Sequence, residues 1–329
     1  MQEKTSQKNL PLVVVLEPGY PDYEAERSVI ASFGMDLAVV ATDDDARVRL
    51  GDLNPTALLI RERPFGAGLM DVCPNLRLIV RYGVGVDNID LGAARDRGIR
   101  VANVPSYGAE HEVSDHALAL YLAIARRIAA RDSAIRKSHW DMGMAENMPG
   151  RRAVTLGLIG FGRIGRQVLR RFRGLDLARA LVSDPALSDE EAAQIGVERT
   201  DIDTICRSAD AISLHLPLTP ETRHIIDRRR IALMGPTTVL VNTSRGGLID
   251  EAALAEALTE RRIFGAGLDV FEVEPLSADS PLRDAPNAIL TDHTAWCSQD
   301  AIAGLQSQAA AEIQRFLEGR EPLNWVNAR

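Results

Sequence analysis

Short runs of aliphatic residues alternate with amphipathic stretches along almost the whole of this 329-residue chain. Strand, helix and strand in succession build βαβ units with parallel pairing, so the rhythm commits the chain to an α/β fold and sets sandwiches and helix bundles aside. In the first third, Leu12–Leu16, Leu37–Val40, Ala57–Ile60, Leu76–Val80 and Val101–Val104 read as strands, and Tyr23–Phe33 reads as a helix. A tighter series begins at Val154, with strands expected at Thr155–Ile159, Ala180–Ser183, Ala211–Leu214, Val239–Asn242, Gly265–Leu268 and Ala288–Leu290. Six strands in that rhythm suit a doubly wound sheet. Between the two series, Val113, Ala117, Leu120 and Ile124 set one apolar stripe on a helix over Glu112–Arg127. The polar, methionine-containing stretch Arg131–Arg152, with Trp140, Pro149 and Gly150, reads as a connection and a candidate arm against a partner subunit. A second stripe, Ile302, Leu305, Ala309, Ile313 and Phe316, predicts a closing helix that returns to the first domain.

At roughly 100–200 residues per domain the length implies two domains. With 46% apolar and 26% charged residues, disorder and fibrous architectures drop out. Lys plus Arg number 38 against 46 Asp plus Glu, a net charge of −8. That balance repels polyphosphate, and with no basic patch in the sequence, neither nucleic acid nor an anionic membrane is expected as a partner. Cys73, Cys206 and Cys297 lie far apart without C-x-x-C spacing, which argues against a disulfide framework or a metal site and fits a reducing cytoplasm. Cys297 reads as a small buried residue. The start, MQEKTSQKNL, is polar, and PLVVVL is too short for a signal-peptide core. No run approaches the roughly 18 apolar residues of a membrane span.

The strand Thr155–Ile159 runs directly into Gly160-Phe-Gly162-Arg163-Ile164-Gly165 and then a helical stretch. This is the context a dinucleotide fingerprint requires: a tight turn at Gly160, backbone approach to a pyrophosphate at Gly162, and close helix–strand packing at Gly165, with the helix N-terminus facing the phosphates. Asp184, nineteen positions beyond Gly165, ends the next strand, where a carboxylate binds both ribose hydroxyls. No arginine immediately follows it to meet a 2′-phosphate, so NAD is expected rather than NADP.

Five further motifs, in order, resemble those of the D-isomer-specific 2-hydroxyacid dehydrogenases, and the likeness covers nearly the whole chain. Arg81-Tyr-Gly-Val-Gly-Val-Asp-Asn-Ile-Asp90 resembles the family's substrate loop, which implies that backbone N–H groups around Val84 and Gly85 receive the substrate carboxylate. Ser213-Leu-His-Leu-Pro-Leu-Thr-Pro220 resembles a cofactor-side loop, implying contacts from Leu216, Pro217 and nearby Thr222. Val241-Asn-Thr-Ser-Arg-Gly-Gly247 resembles the segment that holds the catalytic arginine, here Arg245, with Thr243 and Ser244 on the cofactor side. Gly267-Leu-Asp-Val-Phe-Glu-Val-Glu-Pro275 implies Asp269 at the nicotinamide amide and Glu274 orienting a histidine. Thr291-Asp-His-Thr-Ala-Trp296 supplies that histidine as His293, the acid/base, with Trp296 toward the substrate. The His293–Trp296 ending and Gly19-Tyr-Pro-Asp-Tyr23 look most like the branch related to C-terminal-binding proteins.

The resemblance implies two Rossmann-like domains: a flavodoxin-like substrate domain, residues 1–106 and 297–329, with a doubly wound NAD-binding domain, residues 107–296, inserted in it. A small 2-oxo or 2-hydroxy acid as substrate, a cleft between the domains as the site and a homodimer are expected. With Trp325 so near the last residue, the regulatory extension of long phosphoglycerate dehydrogenases is not expected.

The chemistry is consistent with these residue types on its own terms. Reducing a 2-oxo acid needs a fixed cation for carboxylate and carbonyl, which Arg245 offers, and a proton donor, which His293 becomes as imidazolium with a carboxylate such as Glu274 to orient it. Arg61 and Arg63, after a strand of the first domain, are candidates to meet a phosphate or second carboxylate at the far end of a substrate. His111, His116, His139, His215 and His224 read as structural. Two departures from the family pattern stand out: Asp292 replaces the usual proline before His293, and Asn103–Asp115 lacks a glycine after Pro105 and is one residue longer. An NAD(H)-sensing scaffold and a formate- or phosphite-type dehydrogenase are the alternatives.

Overall fold

The computed structural model describes residues 12–41, 45–143, 148, 150 and 153–328. The sequence readings at MQEKTSQKNL and Pro149 lie outside the described residues. The chain forms two compact units, residues 1–108 with 298–329, and residues 109–297.

The first unit begins β1 (Val13–Leu16), α1 (Glu24–Ala31), β2 (Leu37–Val40), α2 (Ala46–Leu53), β3 (Ala57–Ile60), α3 (Ala67–Met70), β4 (Leu78–Arg81), α4 (Leu91–Asp96) and β5 (Arg100–Ala102). Its sheet is parallel, in the order β2-β1-β3-β4-β5, the flavodoxin-like arrangement. Val13, Val14, Val15 and Leu16 are all 0% exposed, because helices cover both faces of a parallel sheet and its inner strands read as unbroken aliphatic runs.

The second unit comprises α5 (Glu110–Ala125), α6 (Ile128–Arg136), β6 (Val154–Ile159), α7 (Arg163–Phe172), β7 (Leu177–Ser183), α8 (Asp189–Ile195), β8 (Glu198–Arg199), α9 (Ile202–Ser208), β9 (Ala211–Leu214), α10 (Arg228–Ile231), β10 (Val239–Asn242), α11 (Glu251–Thr259), β11 (Gly265–Leu268) and β12 (Ala288–Leu290). The final helix, α12 (Gln299–Leu317), belongs to the first unit and packs on α1 and β4. The second sheet is also parallel, in the order β12-β11-β10-β9-β6-β7-β8. Its strand order reverses at β6, flanked by β9 and β7, and the crevice outside the carboxyl ends of strands at such a switch point is where ligands bind. The α5 stripe, Val113, Ala117, Leu120 and Ile124, is buried, with α5 packed on α7, β10 and β11.

Three expectations are corrected. The seventh strand, β8, is a two-residue edge of Glu and Arg, with no aliphatic run to announce it. Helix α6 occupies the start of the stretch read as a connection; none of its residues is buried, so it carries no apolar stripe for a periodicity reading to find. Cys297 is exposed rather than buried, because it lies in the turn between Trp296 and α12.

Candidate active site

The dinucleotide fingerprint stands at the switch point. Gly160 leaves β6 with φ +91, a conformation that disfavours any residue with a Cβ, and a Cβ there would lie 2.4 Å from the His215 carbonyl oxygen at the end of β9. A Cβ on Gly165 would meet the Gly160 oxygen at 2.5 Å, so helix and turn touch backbone to backbone. At Gly162 the space is open, and no side chain caps the first turn of α7, so its N–H groups and positive end face outward. Arg163 is exposed there and Ile164 partly buried. The Asp184 carboxylate reaches across from the end of β7, accepting the Phe161 N–H at 2.6 Å and the Ala186 N–H at 2.8 Å. A cavity of about 430 Å³ opens beside it, lined by Ser183, Asp201, Ile202, Asp203, Arg229 and Arg230.

The neighbouring loops are braced from within. The Thr222 hydroxyl donates to the Pro217 carbonyl at 2.7 Å and closes the turn that follows Leu216, and Ser244 Oγ donates to the Leu214 carbonyl at 2.6 Å. Thr243 Oγ1 and both ring nitrogens of His215 are buried without a protein partner. Burial pushes the His215 pKa down to about 3, so this imidazole is neutral. Open space over Gly162, uncapped amides, a carboxylate at the next strand end and orphaned polar atoms fit a dinucleotide laid across the switch point.

At the other side of the sheet, His293 Nδ1 lies 2.7 Å from Glu274 Oε2, and Glu274 Oε1 accepts the Phe271 N–H at 3.0 Å. Burial pushes the Glu274 carboxyl up, but the His293 hydrogen bond and charge, the Phe271 N–H and the Arg245 charge outweigh it and hold the group below its ordinary value. With Nδ1 committed to the carboxylate, the ring is held in one orientation. His293 sits at φ +57, a left-handed conformation held by its surroundings. Its N–H donates to the Asp269 carbonyl at 2.8 Å, and its own carbonyl accepts the Trp296 indole N–H at 3.0 Å.

Asp269 is 0% exposed. Its carboxylate accepts the Thr291 hydroxyl at 2.6 Å and the N–H groups of Thr294 and Ala295 at 3.0 and 2.9 Å, pinning both flanks of His293. His116, read from sequence as structural, joins this set from α5, with Nε2 3.0 Å from Thr291 Oγ1 and 3.7 Å from Asp269 Oδ1. Asp292 accepts the Thr294 hydroxyl at 3.1 Å. Arg245 follows β10, its turn fixed by Asn242 Nδ2, which donates to the Arg245 carbonyl at 2.8 Å, while Arg245 Nη1 donates to the Ser244 carbonyl at 2.7 Å.

In the first unit, exposed Val84 and half-buried Gly85 lie in the loop after β4, with the Val84 carbonyl accepting Asn103 Nδ2 at 2.6 Å. The arginines expected to take a second anionic group are engaged locally. Arg61 lies 5.3 Å over the Tyr20 ring, and Arg63 lies 3.4 Å from Glu17. Sequence reasoning missed His116, which lies on α5 beside the apolar stripe, 175 residues from Thr291, so nothing local marks it.

Comparison with known proteins supplies the family. Residues 118–295 match the family model for the NAD binding domain of D-isomer specific 2-hydroxyacid dehydrogenases. The chain belongs to that family. A glyoxylate reductase of Korarchaeum cryptofilum is 38% identical to this dehydrogenase family member over 285 residues, 85% of this chain and 84% of that protein. A D-3-phosphoglycerate dehydrogenase of Mycobacterium tuberculosis is 36% identical over 324 residues, 97% of this chain and 59% of that protein, so the chain spans about three fifths of that relative's length. Among solved structures, the TT0316 protein of Thermus thermophilus superposes with a TM-score of 0.84 at 33% identity, covering 95% of this chain and 99% of that one. Membership sets the reaction class at family level: interconversion of 2-hydroxy and 2-oxo acids with NAD(P) as cofactor. Among the described residues, no helix is long and apolar enough to cross a membrane, and no cluster of His, Cys, Asp and Glu has the form of a metal site.

Proposed function

We propose that the protein is an NAD-dependent reductase of a small 2-oxo acid to its D-2-hydroxy acid, working reversibly. The 2.7 Å pair of Glu274 and His293 carries this reading. When bound, the nicotinamide supplies or accepts a hydride. Arg245 holds the substrate's carboxylate and carbonyl oxygens with its planar fork, and imidazolium His293, oriented by Glu274, gives its Nε2 proton to the oxygen that gains charge. In oxidation neutral His293 takes that proton back. The Val84 and Gly85 N–H groups bind the carboxylate, and Trp296 and Asp269 hold the histidine loop. Gly160, Gly162, Arg163, Ile164, Gly165, Leu216, Pro217, Thr222, Thr243 and Ser244 form the dinucleotide cradle. The test is loss of NADH absorbance with purified protein against glyoxylate, hydroxypyruvate, pyruvate and oxaloacetate. Turnover of at least one supports the reading, whereas tight NADH binding without turnover moves it to a nucleotide-sensing scaffold.

Preference for NAD over NADP rests on Asp184 at the ribose end. The arginines beside that end are no offset for a 2′-phosphate, because Arg229 and Arg230 both bond Asp203, at 2.6 and 3.0 Å. Asp184→Ser is expected to move the NADPH-to-NADH ratio of kcat/KM toward NADPH by about tenfold or more, since a like charge against a phosphate costs several kcal/mol. An unchanged ratio refutes the assignment. A homodimer is the expected assembly, supported by the 56% exposed Ile128, 53% exposed Ile135, 80% exposed Trp140 and 78% exposed Met142 on α6 and the turn after it. Light scattering should give about twice the 35.9 kDa of one chain; a mass near 35.9 kDa refutes it. Three free cysteines fit cytoplasmic residence.

A further inference from the structure

Next to the Val84–Gly85 loop, each basic side chain at the ends of β3 and β4 is already engaged inside its own unit. Arg81, the last residue of β4, has a side chain only 6% exposed. Its Nη1 donates to the carbonyl of Tyr82 at 2.6 Å, so the guanidinium lies directly against the start of the loop. Its Nη2 lies 2.5 Å from both Glu62 oxygens. Glu62 is 46% exposed and comes from the loop after β3, which Asn88 ties to the Val84–Gly85 loop by donating to the Arg61 and Arg63 carbonyls at 2.8 and 3.0 Å. Arg63 faces Glu17, and Arg61 lies over Tyr20.

We infer that Glu62 is a specificity-determining residue: by neutralising Arg81 beside the carboxylate loop, it fits the protein to a monoanionic 2-oxo acid with a small neutral tail and turns away an acid bearing a second anionic group such as phosphate. This rests on the proposal that Val84 and Gly85 bind the substrate carboxylate. The Arg81 guanidinium abuts this loop, 1.6 Å from where a Cβ on Gly83 would stand, so a three-carbon acid held there is expected to present its other end to the β3 and β4 ends. A phosphate arriving at a closed guanidinium–carboxylate pair meets little net charge and loses hydration without return. The same phosphate arriving at an unpaired guanidinium meets the full attraction of a charge in a site largely withdrawn from water. Both chemistries occur among the relatives, a glyoxylate reductase and a phosphoglycerate dehydrogenase, and Glu62 decides between them here.

The test compares the NADH-dependent reduction of hydroxypyruvate and of 3-phosphohydroxypyruvate by the full chain, by Glu62→Gln and by the double variant Glu62→Gln/Arg81→Gln. The native protein should prefer hydroxypyruvate. Glu62→Gln, nearly isosteric, should shift the ratio of kcat/KM toward the phosphorylated acid by about tenfold or more, and the shift should shrink as salt is raised. The double variant should return the ratio to the native value. A native preference for the phosphorylated acid overturns the inference, and so does a Glu62→Gln ratio equal to the native one, the result a merely structural ion pair would give. Should the variant fail to fold, the native protein still decides, because D-3-phosphoglycerate should inhibit more weakly than D-glycerate, and the reverse order overturns the inference. If no 2-oxo acid is turned over, the catalytic reading fails separately, and calorimetry of the same two acids with the NAD-loaded protein tests Glu62 by the same order.

Discussion

Replacing His293 by alanine is expected to lower kcat for 2-oxo acid reduction by about 10²–10⁴-fold, roughly 3–5 kcal/mol of barrier, while NADH binding is retained. The size follows from the geometry. Nδ1 is held by Glu274 at 2.7 Å, which fixes the plane and direction of the imidazole that is to give the proton. An alanine leaves the alkoxide to water. A loss below about tenfold would show that His293 is a bystander to the proton transfer.

Glu274→Gln separates charge from position. The Glu274 carboxyl stands below its ordinary 4.5 because, against the upward push of burial, His293, the Phe271 N–H and Arg245 all favour the anion. A carboxyl lowered in the folded state contributes stability that is complete above its unfolded value and is lost as pH falls through the folded value, so the pair persists at neutral pH and dissolves in acid, below about pH 4.5. The coupling is reciprocal: the carboxylate that His293 stabilises also stabilises the imidazolium. In Glu274→Gln the alkaline limb of the reduction pH profile should therefore move to lower pH, because the proton-donating form has lost its counter-charge. An unmoved limb would leave Glu274 a purely steric partner.

What was legible in the sequence was whatever backbone geometry forces on residue type. Gly160 and Gly165 are glycines because carbonyl oxygens stand 2.4 and 2.5 Å from where their Cβ atoms would be, and although one of those oxygens belongs to the distant His215, both glycines fall within a single six-residue motif. The aliphatic strands were legible for the same reason: full burial on both faces leaves no polar residue among Val13–Leu16. Helix α6 escaped because it buries nothing. The Glu274–His293 pairing, nineteen residues apart, came from motif resemblance, since no periodicity links a loop after β11 to one after β12. His116 and Glu62 were out of reach altogether. One joins Thr291 across 175 residues and the other is a half-exposed glutamate between two arginines, and only the fold supplies their partners.

Gly246→Ala should cost the protein both stability and activity, and it tests whether the Arg245 turn and the Glu274 loop form one rigid piece. A Cβ on Gly246 would lie 1.8 Å from the Phe271 carbonyl carbon, 2.1 Å from its oxygen and 2.3 Å from the Glu272 nitrogen. All three are backbone atoms, so no side-chain rotation relieves the overlap, and the 271–274 segment must move away by more than an ångström. Overpacking of this kind costs about 3 kcal/mol, and for a unit of this size each kcal/mol lowers Tm by roughly 2–4 °C, so a fall of about 6–12 °C is expected by calorimetry. The displaced segment begins at Phe271, whose N–H fixes Glu274 Oε1 at 3.0 Å, and Glu274 in turn fixes His293. A shift near 1 Å between catalytic groups costs about 10²-fold in rate. Arg245→Gln is the control, since it removes the cation without adding a contact: its kcat/KM should fall about 10²-fold or more with Tm nearly unchanged. If Gly246→Ala keeps its activity while its Tm falls, the two loops move independently, and the spacing of Arg245 from the Glu274–His293 pair is not set by this contact.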